Sequence, residues 1–442
     1  MRREAHLEAA IDILDIVVKE ALADGNTVAQ VLRYYFSNKR YAGSSDRRNV
    51  ADIVFAILRH IIILQWAINE AGGEVTGRTL LITELTWAEE DLPQIFGAGR
   101  YGPGPISDEE RGLMWALPDK TEAPSWALHN CPQWMEPALR KRFGNTFDQE
   151  LDVLDARAPF IGRVNTIKAK EVDVIRALEK ENIICRVSSL TPHCLFLSNS
   201  KVTGMDIYLN GDLEIQDQSG QIASFLVDAK PGHKLLDLCA GAGGKTLAIA
   251  AIMKNQGEII ATDINPKRIH ELEVRAKRAG VDIITAKTIS KEANYYREEV
   301  LKPLKNNQDR VVLDVPCSGS GTWRRSPELR LRMTPERVEA IQEIQCGLLN
   351  EGATCVKIGG RLIYMTCSIL PSENEEQVIW FLKEKNKDGE KWKLIPYKTA
   401  WQEAGITSES RGSISYIPEC LQLTSARHES NGFFVAIFER TA

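Results

Sequence analysis

Five short apolar runs in the C-terminal half constrain this chain most: KLLDLCA from Lys234, EIIATDI from Glu258, DIITAK from Asp282, RVVLDVP from Arg310 and RLIYMTCS from Arg361. Near-continuous apolar runs of this length read as strands buried on both faces. Helical patterns such as PKRIHELEVRAKRAG lie between them. Strands alternating with helices give a doubly wound, mostly parallel sheet. Such a sheet opens its ligand crevice at the carboxyl ends of its strands. Functional residues are therefore expected at residues 237–245, at Asp263, at residues 314–317 and at residues 366–368.

The N-terminal part follows a different period. From Leu7 to about Ala71 apolar residues recur at helical spacing, as in Val50, Ile53, Val54, Ile57, Leu58 and Ile61, which predicts a set of helices. A turn-rich stretch from Phe96 to Pro124 follows. From GRVNTIKAKEVDVIRALEKENIICRVS onward, short strand patterns flank one helix. We therefore expect three parts: a helical domain over 1–128, a small α/β lobe over 129–226, and the doubly wound domain over 227–442. A chain of 442 residues, 43% hydrophobic, has enough apolar sequence for several cores.

Asp12 and Asp15 interrupt the first apolar stretch, IDILDIVV, and HIIILQWAI is far shorter than a membrane span. Neither a leader nor an anchor is expected. Nine cysteines without close pairs read as reduced thiols of a cytoplasmic protein, with no metal site and no disulfide framework. The net charge of -5 carries no global sign of nucleic-acid binding. Any such role rests on local stretches: Arg140 to Arg142, Lys267 to Arg278, and WRRSPELRLR from Trp323.

LLDLCAGAGGKT turns on Gly241, Gly243 and Gly244 before a helix, so backbone N–H groups can approach a ligand closely. A P-loop would need glycine five positions before Gly244, where Cys239 stands, and G-x-G-x-x-G also fails in register. Asp263, ending the next strand, is placed to bond ribose hydroxyls. The alternative is a plain tight turn with Asp263 capping a helix. Cys317 and Cys367 end two further strands and precede polar or glycine turns, unlike core cysteines. Ser372 and Glu375 have the spacing of a capping box for the helix that follows.

LLDLCAGAGGKT, ATDI, LDVPCSGSGTWRRSPELR and YMTCSILPSENEEQV resemble the Sun/Nop family of RNA cytosine-5 methyltransferases, as do GRVNTIK, EIQDQSGQIAS and NGFFVAIFE. The resemblance runs from about Asn130 to the end. It implies a Rossmann-like class I methyltransferase domain, and more weakly the helical part resembles the all-α NusB-like RNA-binding extension of a bacterial small-subunit rRNA enzyme. It further implies S-adenosylmethionine on Cys239, Ala240, Gly241, Ala242, Gly243, Gly244, Lys245, Asp263 and Asp314. Cys367 is then the nucleophile, Cys317 the aid to product release and Asp314 the contact to the base, with Arg324, Arg325 and Arg330 meeting phosphates of the RNA, 16S rRNA first. Ala242 replaces the usual proline of the loop, and Lys287 and Thr288 stand where many members carry an adenine-facing acid. Asn431 replaces a common aspartate in a tail that reads as structural. Three alternatives stay open: a tRNA substrate, a noncatalytic RNA-binding assembly factor, and a thiol–disulfide protein, the last lacking a C-x-x-C motif.

Overall fold

The computed structural model describes residues 2–22, 26–39, 41–97, 99, 101–292, 294–387, 389, 391–406 and 408–442. They form two compact units, one of residues 1–157 with Thr322–Pro335, the other of Ala158–Gly321 with residues 336–442.

The first unit is helical. It opens with α1 (Arg3–Leu22), α2 (Val28–Ser37), α3 (Ser44–Arg59), α4 (Ile61–Glu70) and α5 (Gly77–Trp87). Val50, Val54, Ile57 and Leu58 form the buried stripe of α3, as their spacing predicts. Thr27 and Gln30 close a capping box at the start of α2. Helices continue past residue 128, and the compact unit takes them in. Leu139, Phe143, Phe147, Leu151 and Leu154 recur at helical spacing and are all buried, so the helical pattern continues to Arg157. The turn-rich stretch also holds a helix, Asp108–Ala116, capped by Ser107.

The second departure is the return of residues 322–335 to this unit. Trp323 is fully buried, and the Arg330 side chain is 0% exposed. Arg330 pairs with Asp155, donates to the Arg59 carbonyl at 2.9 Å and lies 4.9 Å over the Trp323 ring. The phosphate role expected for Arg330 is therefore corrected: its guanidinium is an internal ion-pair partner with no face toward solvent. Arg330→Ala leaves the half-buried Asp155 carboxylate with the Asn130 amide as its remaining donor among the described hydrogen bonds, and is expected to lower unfolding free energy by about 2–3 kcal/mol in urea titration. An unchanged midpoint would show that the pair is dispensable.

In the second unit, β1 (Phe160–Val164), β2 (Cys185–Val187), β3 (Cys194–Leu197) and β4 (Leu213–Ile215) make an antiparallel sheet in the order β2-β3-β1-β4. The helix Glu171–Lys180 packs Val174 and Leu178 onto it. The first strand of this sheet begins at Phe160, after the helices of residues 133–155.

The larger sheet holds β5 (Lys234–Asp237), β6 (Glu258–Asp263), β7 (Ile284–Thr288), β8 (Gln308–Asp314), β9 (Val356–Thr366), β10 (Trp392–Leu394), β11 (Leu421–Leu423) and β12 (Phe433–Arg440). Its order is β10-β12-β9-β8-β5-β6-β7, with β11 beside β12. β5 to β9 pair in parallel and β12 runs antiparallel to β9. Successive residues feed opposite cores: Leu235, Ile259, Val312 and Ile363 one face, Leu236, Ile260, Val311 and Leu362 the other. This explains why these strands read as unbroken apolar runs. The order reverses at β5, whose neighbours β6 and β8 lie on either side, and the crevice belongs there. Among the described residues no single helix is long and apolar enough to cross a membrane.

Candidate active site

At the carboxyl end of β5 the chain turns with Gly241 and Gly243 at φ of 55° and 82°. L side chains avoid these angles, so glycine allows the turn at no steric cost. Gly243 caps the helix Gly244–Ile252 and backs onto Leu272, where a Cβ would sit 2.6 Å from Leu272 Cγ. Gly243 therefore shapes the loop and does not line the cavity, unlike its neighbours Cys239, Ala240, Gly241, Ala242, Gly244 and Lys245. The turn survives the missing proline because its conformation is set by these glycines. Asp263, at the end of β6, accepts from the Gly241 N–H at 3.0 Å and the Asn265 N–H at 2.8 Å. Its carboxylate thus ties two strand ends together on the cavity wall.

Asp237 behaves differently. It is buried behind the loop, accepts from the Thr246 hydroxyl at 2.7 Å and does not border the cavity. Burial pushes its carboxyl up to about 7, since desolvation disfavours the charged form.

The cavity measures about 820 Å³, within the usual range for small-molecule sites. It also takes in Ile264 and Ile289, so apolar side chains occupy the region where no adenine-facing acid was assigned. Two groups of lining residues were not anticipated. One is Gln216, Asp217, Ser219 and Gly220, from the EIQDQSGQ segment that gave a family signal but no assigned contact. The other is Asn431 with Phe433: Asn431 reads as structural in sequence, yet it borders the cavity and its N–H donates to Asp217 at 3.1 Å.

Asp314, at the end of β8, accepts from the Lys245 ammonium at 2.5 Å. The same ammonium lies 4.9 Å over the Phe433 ring. Burial alone would lower the Lys245 pKa, but the charge and hydrogen bond of Asp314, with a smaller contribution from Cys367, raise it instead. Lys245 therefore stays a cation at neutral pH.

The two thiols meet because β8 and β9 are adjacent and parallel, with Asp314 opposite Met365. Cys317 and Cys367, fifty positions apart, bring their sulfurs to 3.2 Å. Both line the cavity and both are half-buried free thiols. The hydrogen bond to Cys367 and then burial hold the Cys317 thiol well above its usual range.

The loops carrying the thiols share one anchor. Glu373, 0% exposed, accepts from the Ser318 N–H at 2.7 Å, the Ser318 hydroxyl at 2.5 Å, the Ser368 hydroxyl and the Gln345 amide at 3.2 Å. The helix expected to be capped by Ser372 and Glu375 starts at Glu375 itself, so this acid occupies the first helical position and not the third. Fixing of the loop falls to Glu373, two residues earlier. Its sequence signal was a serine directly after each cysteine.

Arg324 and Arg325 stay half-exposed, and Arg324 donates to the Arg157 carbonyl at 2.9 Å. Arg297, a cavity residue, is bound to Glu351, with its Nε donating at 2.6 Å.

A family model described as 16S rRNA methyltransferase RsmB/F matches residues 224–439, and one described as an RsmF/B-like ferredoxin-like domain matches residues 131–203. A probable ribosomal RNA small subunit methyltransferase B from Synechocystis is 30% identical over 70% of this chain, which spans 66% of that relative's length. The solved structure of PH0851, 24% identical, superposes with a TM-score of 0.75 over 98% of this chain and 99% of its own, and shares the fold. The ribosomal RNA small subunit methyltransferase B of Photorhabdus laumondii is 30% identical over 83% of this chain and 88% of its own length. With that likeness extending across both units and the family model covering the cavity lining from Leu238 onward, the chain belongs to the RsmB/F family of 16S rRNA methyltransferases.

Proposed function

We propose that this protein transfers a methyl group from S-adenosylmethionine to carbon 5 of a cytosine in RNA, 16S rRNA by preference, through a covalent adduct on Cys367. The observation that carries the reading is the pair of thiols at 3.2 Å on the wall of a cavity that also holds the Lys245–Asp314 pair.

The loop fits the methyl donor. Residues 239–245 other than Gly243 line the cavity, Asp263 stands at the neighbouring strand end, and Ile264 and Ile289 offer apolar surface for a purine. When bound, S-adenosylmethionine supplies an electrophilic methyl on a sulfonium. Carbon 5 of cytosine is too weakly nucleophilic to take it unaided. The Cys367 thiolate therefore adds to carbon 6, and the ring electrons move to carbon 5. Lys245 supplies the nearby positive charge that favours a thiolate. Asp314 hydrogen-bonds the polar edge of the base and offsets charge developing on the ring nitrogen.

After methylation, the proton on carbon 5 must leave and the carbon–sulfur bond must break, returning electrons to the ring and the thiolate to Cys367. While Cys367 is a thioether it no longer carries the charge that holds a proton on Cys317. Cys317 can then ionise and accept the carbon 5 proton. A cytosine stacked in a helix cannot be attacked on its ring face, so the target is unpaired or extruded. We assign phosphate contacts to Arg324 and Arg325 alone, and RNA recognition to the helical unit as a NusB-like domain.

The test is methylation of undermodified small-subunit rRNA with labelled S-adenosylmethionine, followed by nuclease digestion and mass spectrometry. Labelled 5-methylcytidine is expected. Label on an exocyclic nitrogen, or none on rRNA, tRNA or assembling subunits, would overturn the proposal.

A further inference from the structure

Glu373 is a puzzle by ordinary energetics. A carboxylate out of water costs several kcal/mol unless it is paired or fully hydrogen-bonded. No cation pairs with Glu373 among the described ion pairs; four donors serve it instead, two from Ser318, one from Ser368 and one from Gln345. Ser318 and Ser368 each directly follow a cavity cysteine, and their own hydroxyls lie 3.2 Å apart. Gln345 also donates to the Pro316 carbonyl at 2.9 Å, on the other side of Cys317. The Tyr364 hydroxyl and the Asn374 amide, donating to the Glu373 and Ser368 carbonyls, fix the backbone below. The carboxylate thus clamps both thiol loops.

We infer that Glu373 is a positioning residue that fixes the two thiols side by side and keeps the proton on Cys317, so that Cys367 is the sulfur that attacks. The inference rests on the covalent reading above and says which residue orders its two cysteines. The charges around the pair are unequal. Glu373 faces Cys317 and, after Cys367 and burial, acts to hold its proton. Lys245 lies on the Cys367 side, and the two attract. Asp314 neutralises part of that cation, and the buried Tyr364 also faces Cys317 and Glu373. Burial pushes the Glu373 carboxyl up and its Ser318, Ser368 and Gln345 donors pull it back down; ionised, it sets a negative charge behind one sulfur while Lys245 sets a positive charge before the other, and the two sort otherwise identical thiols.

The test reads thiol reactivity in the full chain without RNA or methyl donor. Iodoacetamide is added across pH 6–10, a thiolate displaces iodide to form the S-carboxamidomethyl bond, and peptide mass spectrometry follows the two sites. In the native chain Cys367 is expected to react at least about tenfold faster than Cys317 at neutral pH. Glu373→Gln, which removes the charge, is expected to bring the two rates within about threefold and to lower the midpoint of Cys317 alkylation. Glu373→Asp, carrying the charge on a shorter stem, restores the order in part. An unchanged order and pH profile in Glu373→Gln would overturn the inference. Should that variant fail to fold, Cys367→Ala decides: with the neighbouring sulfur gone Cys317 is expected to react faster than in the native chain and still at least about threefold slower than a free thiol, because Glu373 and burial remain, and reactivity equal to a free thiol ends the proposal. Methyl transfer persisting in Cys367→Ser would defeat the covalent reading while leaving the alkylation order intact, so the two failures are distinct.

Discussion

Cys367→Ser is expected to reduce methyl transfer by on the order of 10⁴-fold or more, with binding of S-adenosylmethionine nearly unchanged. Serine keeps the side chain's size, but its hydroxyl is a far weaker acid than a thiol and supplies almost no anion at neutral pH. Without addition to carbon 6, carbon 5 gains no electron density. The loop that would hold the methyl donor is built by Gly241, Gly243 and Asp263, none of which contacts the Cys367 side chain through a hydrogen bond. Single-turnover transfer to rRNA, alongside calorimetric titration of S-adenosylmethionine, separates the two effects. Transfer within tenfold of the native rate would rule out a covalent route through this sulfur.

The second large effect is opposite in kind. Cys317→Ala leaves the nucleophile in place and removes the group assigned to take the carbon 5 proton. Methylation is expected to proceed once, after which the adduct persists: a protein–RNA species surviving denaturing electrophoresis, in amounts approaching one per enzyme, with turnover reduced at least about 10²-fold. The partner variant Cys317→Ala with Cys367→Ser should form none. Multiple turnover at the native rate without trapped complex would remove Cys317 from the chemistry. Alanine also takes away the thiol that Cys367 faces at 3.2 Å, so initial addition is measured separately by the first-turnover burst.

Much of this arrangement is legible in sequence because strands buried on both faces leave little ambiguity. β5, β6, β7, β8 and β9 fall within a few residues of their apolar runs, and the long helix Pro266–Ala279 lies where PKRIHELEVRAKRA places it. Asp263, Asp314, Cys317 and Cys367 follow from strand ends alone. What sequence did not convey was three-dimensional closure. Gln216, Asp217, Asn431 and Phe433 reach the cavity from opposite ends of the second unit, and no local pattern couples positions more than two hundred residues apart. Glu373 was overlooked because its neighbour Glu375 satisfied a short-range capping pattern, whereas its real partners lie on the loops of β8 and β9. Arg330 was misjudged for a related reason: a run of arginines looks like a solvated surface unless Asp155, 175 positions earlier, is known to meet it.

The return of residues 322–335 to the helical unit bears on how such a protein can be inherited. Trp323 and Arg330 belong to the core of a unit whose residues outside 322–335 all precede position 158. An N-terminal extension joined only by a linker could be exchanged between lineages as a cassette, each recipient acquiring new substrate choice in one recombination event. Here a donated extension arrives without the indole and guanidinium that finish it, and a recipient that loses its own leaves an apolar, charged loop stranded after β8. The pieces must therefore change together, one compensated substitution at a time. Comparison of chimaeras cut at residue 157, with and without transfer of residues 322–335, would measure how tightly this coupling holds the lineage to its present architecture.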